Sequence, residues 1–330
     1  MPLRTALYQL IVLLMVGAAA AACGSQDSPR GERTKVVATT GMIADAAENV
    51  GGDRIEVRAL MGPGVDPHLY KATPGDLRTL QDADLILYNG LHLEGRLADV
   101  LVRLASRKST VQVTDSIDET RLREPPEMDG HYDPHVWFDV ELWISVVERT
   151  RDALIAGDAG GKAAFTASAT KYIAELRALH EECKKEFARI PEDRRVLVTA
   201  HDAFGYLGRA YGIEVLSVQG ISTDSEGSLK QVNSLVDTLV TRQVPAVFIE
   251  SSVPRKNIDA LIEGCRARGH SVKVGGELYS DAMGPRGTTA GTYIGMVRHN
   301  VRTIVDALAP GDTTPLQPPA EAPSTEAGSR

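Results

Sequence analysis

The sequence predicts an α/β protein of two pseudo-repeated lobes, each a parallel sheet flanked by helices, joined by one long rigid helix. Three observations carry this. Short β-rich runs alternate with stretches of helical spacing, which is the βαβ pattern of a parallel sheet covered on both faces. The pattern is written twice. "VVATTGMIADAAENVGGDRIEV" lines up with "VLVTAHDAFGYLGRAYGIEV" once two residues are skipped in the second copy, and Thr39/Thr199 and the closing Ile-Glu-Val coincide. Between the copies, residues 162–190 run without Pro or Gly.

In chain order, residues 1–22 read as a signal peptide. Arg4 gives the positive start, and "LIVLLMVGAAAAA" is an apolar core shorter than a membrane span of roughly 20 residues. The small residues before Cys23 resemble a bacterial lipobox, although Ala20 stands where Leu is usual, so Cys23 is the expected lipid attachment point. Residues 23–34 then form a polar, lipid-anchored flexible tether. Strands are expected at 35–40, 54–60, 84–89 and 110–115 in a first lobe spanning 35–158, with a helix at 93–107. A second lobe at 192–310 repeats them at 195–200, 213–218, 245–250 and 270–276, with a helix at 228–242.

The connecting helix belongs to a segment spanning 159–191. Phe165, Ala169, Tyr172, Leu176, Leu179, Cys183, Phe187 and Ile190 recur three or four apart, giving one amphipathic helix about 43 Å long. A stiff connector implies a largely preformed cleft between the lobes. Residues 311–330 are rich in Pro, Thr, Ser and Ala and are expected to be disordered. Cys183 and Cys265 are open between a disulfide and two buried thiols.

The net charge is −8, there is no basic cluster, and nucleic acid is not an expected partner. No H-E-x-x-H helix, G-x-S-x-G elbow or G-x-x-x-x-G-K-[ST] loop is present, which argues against a zinc hydrolase and a nucleotide hydrolase. Aromatic residues make up only 5% of the chain, which gives no sign of an adhesive patch.

Ligands of open α/β sheets bind outside the C-terminal strand ends. His68 follows the second strand, His135 follows the fourth, His201 follows the first strand of the second copy, and Asp281 follows the last. The first two stand in repeated Asp-Pro-His corners, where proline stiffens the backbone just before the imidazole. Three imidazoles and a carboxylate suit a four-coordinate divalent metal. Glu250, Asp202 and Glu277 compete for the acidic place, and Glu250 also fits as a carboxylate that orients a ligating histidine. Asp66 and Asp133 are expected to fix the corners. His92 reads as a helix-opening residue. His131, His180, His270 and His299 read as surface residues, with an alternate ligand, or a donor that supports a ligand from outside, as the other readings of His131.

The segments "DPHLYKATPGD", "DPHVWFDVELW", "VLVTAHDAFGYLGRAYG", "VPAVFIESSVPRKNIDAL" and "GGELYSDAMGPRGTTAGTYIGMVRHN" resemble, in family order, the TroA-like metal-binding lipoproteins. These are the cluster A-I solute-binding proteins of zinc and manganese ABC importers. The resemblance covers about residues 35–309. It implies two α/β lobes joined by one helix, with His68, His135, His201 and Asp281 as ligands of one buried divalent metal ion, Zn²⁺ or Mn²⁺. It also implies an ABC permease and its ATPase subunit as partners, no enzymatic activity, and a membrane-anchored extracytoplasmic location. The protein is expected to be a monomer. The alternatives are a zinc-dependent hydrolase and a metal-containing surface adhesin. His201 as third ligand favours zinc. The loop "IDETRLREPPEMDGHY" is acidic and lacks the His-rich character of many zinc carriers, which keeps manganese close.

Overall fold

The computed structural model describes residues 33–309. The signal peptide, the Cys23 anchor, nearly all of the tether and the C-terminal tail lie outside the described residues. Four parallel strands form the first sheet: β1 (Thr34–Ala38), β2 (Ile55–Ala59), β3 (Leu85–Tyr88) and β4 (Ser109–Gln112), in the order β2-β1-β3-β4. Val36 pairs with Val57 on one side and with Leu85 on the other, so all four C-terminal ends point the same way. Helices α1 (Gly41–Gly51), α2 (Pro74–Asp82) and α3 (Ala98–Ala105) make the crossovers. A capping box starts α2: Thr73 Oγ1 accepts from Asp76 N at 3.2 Å, and the Asp76 carboxylate accepts from Thr73 N at 2.8 Å.

The helix expected at 93–107 is shorter than its periodicity suggests. The chain first makes a turn with Gly90, Leu91 and His92 all at positive φ. The cause is the buried Glu94, whose carboxylate accepts from Asn89 N, Gly90 N and the Thr39 hydroxyl at 2.7, 3.0 and 2.7 Å. Wrapping the backbone around this carboxylate prevents helical geometry until Ala98, so His92 opens no helix.

Helix α4 (Val140–Gly157) leads into α5 (Lys162–Phe187), the connecting helix. Asp139 caps α4 by accepting from Glu141 N at 3.0 Å. The 26 residues of α5 extend about 39 Å. All eight stripe residues, Phe165 to Ile190, are buried. They belong to one large core that also holds Val36 and Leu87 of the first lobe and Leu197, Phe248 and Ile304 of the second. A helix embedded in a core shared by both lobes is a stiff link.

The second lobe contains β5 (Val196–His201), α6 (Gly205–Tyr211), β6 (Glu214–Gln219), α7 (Leu229–Thr241), β7 (Ala246–Glu250), α8 (Lys256–Ala267), β8 (Lys273–Leu278) and α9 (Tyr293–Leu308). It repeats the parallel β-α-β order, but its strands form two separate pairs, β5-β6 and β7-β8. Strands β5 and β7 lie side by side without a continuous ladder. The Glu250 carboxylate takes the amides of Ala200 and His201 at 2.8 and 3.0 Å, and the β7-β8 register shifts between Val247 and Phe248. Cys183 and Cys265 are free and buried, in separate hydrophobic clusters. Among the described residues no helix is long and apolar enough to cross a membrane.

Candidate metal centre

Of the four predicted donors, His201 ends a strand, and the other three stand in loops that follow strands. His68 follows β2 in the first Asp-Pro-His corner, where Asp66 Oδ1 accepts from His68 N at 2.9 Å. The second corner is built the same way: Asp133 Oδ1 accepts from His135 N at 3.0 Å. The same oxygen lies 2.8 Å from His135 Nδ1. The other Asp133 oxygen takes the Arg123 guanidinium. His201 is the last residue of β5, and its Nδ1 stands 2.5 Å from Glu250 Oε2 at the end of β7. Asp281 lies in the loop after β8.

With their outer nitrogens so directed, His135 and His201 turn Nε2 inward. Asp281 Oδ1 lies 3.3 Å from His135 Nε2, Asp281 Oδ2 lies 3.2 Å from His201 Nε2, and His68 Nε2 lies 3.3 Å from His135 Nε2. The four donor atoms all fall within 4.8 Å of one another. A tetrahedron with bonds of about 2.05 Å has edges of roughly 3.3 Å, which the three shortest of these contacts match. His135 and His201 are 0% exposed, Asp281 2% and His68 6%. Neither Asp281 oxygen makes a hydrogen bond in this buried setting. Buried orphan oxygens need a partner, and a cation would satisfy both.

The electrostatics divide the three imidazoles. Burial disfavours charge on His135, but Asp133 and Asp281 outweigh it and raise its pKa to about 9. His201 is likewise held well above its ordinary value, with Asp281 and Glu250 outweighing burial. Burial dominates at His68 and pushes it down to about 3. Asp281 resists its own burial because the neighbouring His201 and His135 hold it well below the usual carboxylate range.

The other candidates fall elsewhere. Glu250 meets His201 on the outer nitrogen and is not among the four converging donors. Asp202 lies 4.0 Å from Arg123, and Glu277 offers its backbone carbonyl to His299 Nε2 at 3.0 Å. The exposed His92 and His131 rings face each other at 4.4 Å, and neither belongs to the converging group. His180 meets the Tyr211 hydroxyl at 3.3 Å, and His270 meets the Val244 carbonyl at 2.9 Å.

Sequence reasoning missed Arg123, Tyr206, Trp137 and Thr223. The Tyr206 hydroxyl donates to the Asp133 carbonyl at 2.8 Å. Trp137 packs edge-on against His135 and donates from Nε1 to Ser280 O at 3.0 Å, tying the second corner to the Asp281 loop. Only Trp137 had a sequence signal, its place two residues beyond His135.

A family model described as zinc-uptake complex component A, periplasmic, matches residues 36–307. The manganese-binding lipoprotein MntA of Bacillus subtilis (strain 168) is 48% identical over 289 residues, covering 87% of this chain and 94% of that protein. The zinc-binding protein TroA of Treponema pallidum is 48% identical over 288 residues, covering 87% and 93%. The solved structure of the periplasmic zinc-binding protein TroA from Treponema pallidum superposes with a TM-score of 0.82, covering 84% of this chain and 100% of that one.

Proposed function

Because this chain belongs to the periplasmic zinc-uptake complex component A family, we propose that it is the substrate-binding component of an ABC importer, carrying one divalent transition metal ion to a membrane permease. The metal is cargo. His68, His135, His201 and Asp281 are the proposed ligands, and Glu250 and Asp133 orient His201 and His135 through their outer nitrogens. The observation that carries this reading is the convergence of four buried donor groups, whose ligand atoms all lie within 4.8 Å of one another.

Zinc is the favoured cargo and manganese stands close behind. Relatives of equal identity are named for each metal. Three imidazoles and one carboxylate suit zinc better than manganese, which prefers more oxygen. A catalytic zinc keeps an open position for water, whereas four protein ligands fill a tetrahedron, so the site suits capture and release better than hydrolysis. Acylation at Cys23 would anchor the protein at the extracytoplasmic membrane face, where it works as a monomer with the permease and its ATPase subunit.

Metal content by mass spectrometry tests this. The stripped protein is equilibrated with zinc and manganese together, each buffered at a low free concentration. One zinc per chain, lost in His201→Ala, is expected. One manganese per chain would move the cargo to manganese, and no bound metal would remove the proposed function.

A further inference from the structure

The two Asp-Pro-His corners are alike on the inside and different on the outside. In both, one aspartate oxygen accepts from the backbone nitrogen of the histidine two residues on. The outer oxygen of Asp133 is held by Arg123, from the same lobe. The outer oxygen of Asp66 is held by Thr223 Oγ1 at 2.6 Å, from the second lobe. Thr223 stands in the segment between β6 and α7, outside any helix or strand. The next residue, Asp224, pairs with Arg96 of the first lobe at 2.6 Å. Two successive residues of the second lobe therefore hold first-lobe side chains, one of them Asp66, two residues before His68.

His68 also differs from its companions in its own support. His135 rests Nδ1 against Asp133, and His201 rests Nδ1 against Glu250. Among the described residues the only hydrogen-bond contact of the His68 ring is Nε2 to His135 Nε2. It is also the most exposed of the four, at 6%. An imidazole without a carboxylate on its outer nitrogen depends on its backbone corner for aim, and that corner depends on Thr223.

We infer that Thr223 is a positioning residue for His68, acting through Asp66, and that the Thr223–Asp224 segment is the latch through which the site opens. This rests on the reading of His68, His135, His201 and Asp281 as metal ligands. Moving the segment outward removes the second-lobe partner of Asp66, loosens the His68 corner and frees the first ligand, while His135 and His201 keep their own orienting carboxylates. The metal then leaves from the His68 side. The Arg96–Asp224 pair is exposed and contributes little, so the Thr223 hydroxyl is the decisive contact.

Zinc dissociation into excess chelator, followed by stopped flow on the zinc-loaded protein, tests this. Thr223→Val keeps the shape and removes the donor. It releases zinc about tenfold faster than wild type, the size of one lost hydrogen bond to a charged acceptor, and still binds one zinc at saturation. Thr223→Ser restores the wild-type rate. Arg96→Gln, which leaves the corner untouched, accelerates release about twofold. Arg286→Gln is the control, since the Arg286–Glu48 pair also spans the lobes at 2.6 Å but touches neither corner; its release rate stays at wild type. A wild-type release rate in Thr223→Val overturns the inference, whatever Arg96→Gln does. Equal acceleration by Arg286→Gln also overturns it, because the effect would then be general lobe adhesion. Failure of the ligand assignment shows differently, as missing zinc in the wild-type protein.

Discussion

Asp133 holds His135 twice with one oxygen, through the backbone nitrogen at 3.0 Å and the ring Nδ1 at 2.8 Å. The corner sets where the residue sits and the ring contact sets which nitrogen faces inward. Asp133→Asn keeps the corner and weakens the ring contact. Zinc affinity should fall about 10–100-fold with the stoichiometry intact. Competition against a calibrated chelator measures this, and unchanged affinity would show that Asp133 does not orient a ligand.

Metal binding should compete with protons. In the metal-free protein His135 holds a proton up to about pH 9, and His201 is raised as well. An entering ion must expel these protons, so apparent affinity climbs by about tenfold per pH unit for each proton displaced. Affinities at pH 6.5, 7.5 and 8.5 give the slope, and a flat profile would contradict an imidazole site. The metal-free fold has its own pH signature. The raised pKa of His135 contributes stability fully present below 6.5 and lost as pH rises through about 9. His68, lowered to about 3, works the other way: below 6.5 the unfolded chain takes a proton that the folded site refuses, and stability falls.

Outside the candidate metal centre, Asp45 is 7% exposed, and burial raises it to about 6 despite the Tyr172 hydroxyl at 2.8 Å. The folded state therefore binds a proton more tightly than the unfolded chain does. Stability falls as pH rises from about 4 to about 6 and stays reduced above that range. Asp45→Asn should stabilise the protein at pH 7 by on the order of 1–3 kcal/mol and flatten this part of the profile. Chemical denaturation at pH 4, 5, 6 and 7 checks it, and destabilisation at pH 7 would show that the charge is needed.

Cys183 and Cys265 are 1% and 0% exposed and unpaired. Burial pushes the Cys183 thiol up to about 12. Both should resist iodoacetamide in the native protein and react after unfolding without reductant, followed peptide by peptide in a mass spectrometer. A disulfide would leave both unlabelled even when unfolded.

Most of the site was legible in the sequence, because strand ends and rigid corners are local features. His201 ends a β-rich run, Asp281 stands three residues past one, and His68 and His135 stand in Asp-Pro-His corners of the loops that follow the second and fourth strands; the structure brings those four together. Glu250, read as a strand-end carboxylate able to orient a histidine, meets His201. The connecting helix was legible because its apolar stripe is unbroken. What escaped depends on distant partners. Asp66 and Thr223 are 157 residues apart, and nothing near either announces the contact. The shortened helix before Ala98 escaped because a buried Glu94 carboxylate overrides a helical apolar pattern. The split second sheet escaped because side-chain capping by Glu250 leaves no mark in strand periodicity.

Three imidazoles and one carboxylate are the proposed ligands of the metal. X-ray absorption at the zinc edge of the zinc-loaded protein tests that assignment most directly. Three imidazole nitrogens at about 2.0–2.1 Å and one carboxylate oxygen at about 2.0–2.2 Å are expected, with one imidazole missing in His68→Ala. A sulfur scatterer, or a shell with fewer than three imidazoles in the wild type, would contradict it.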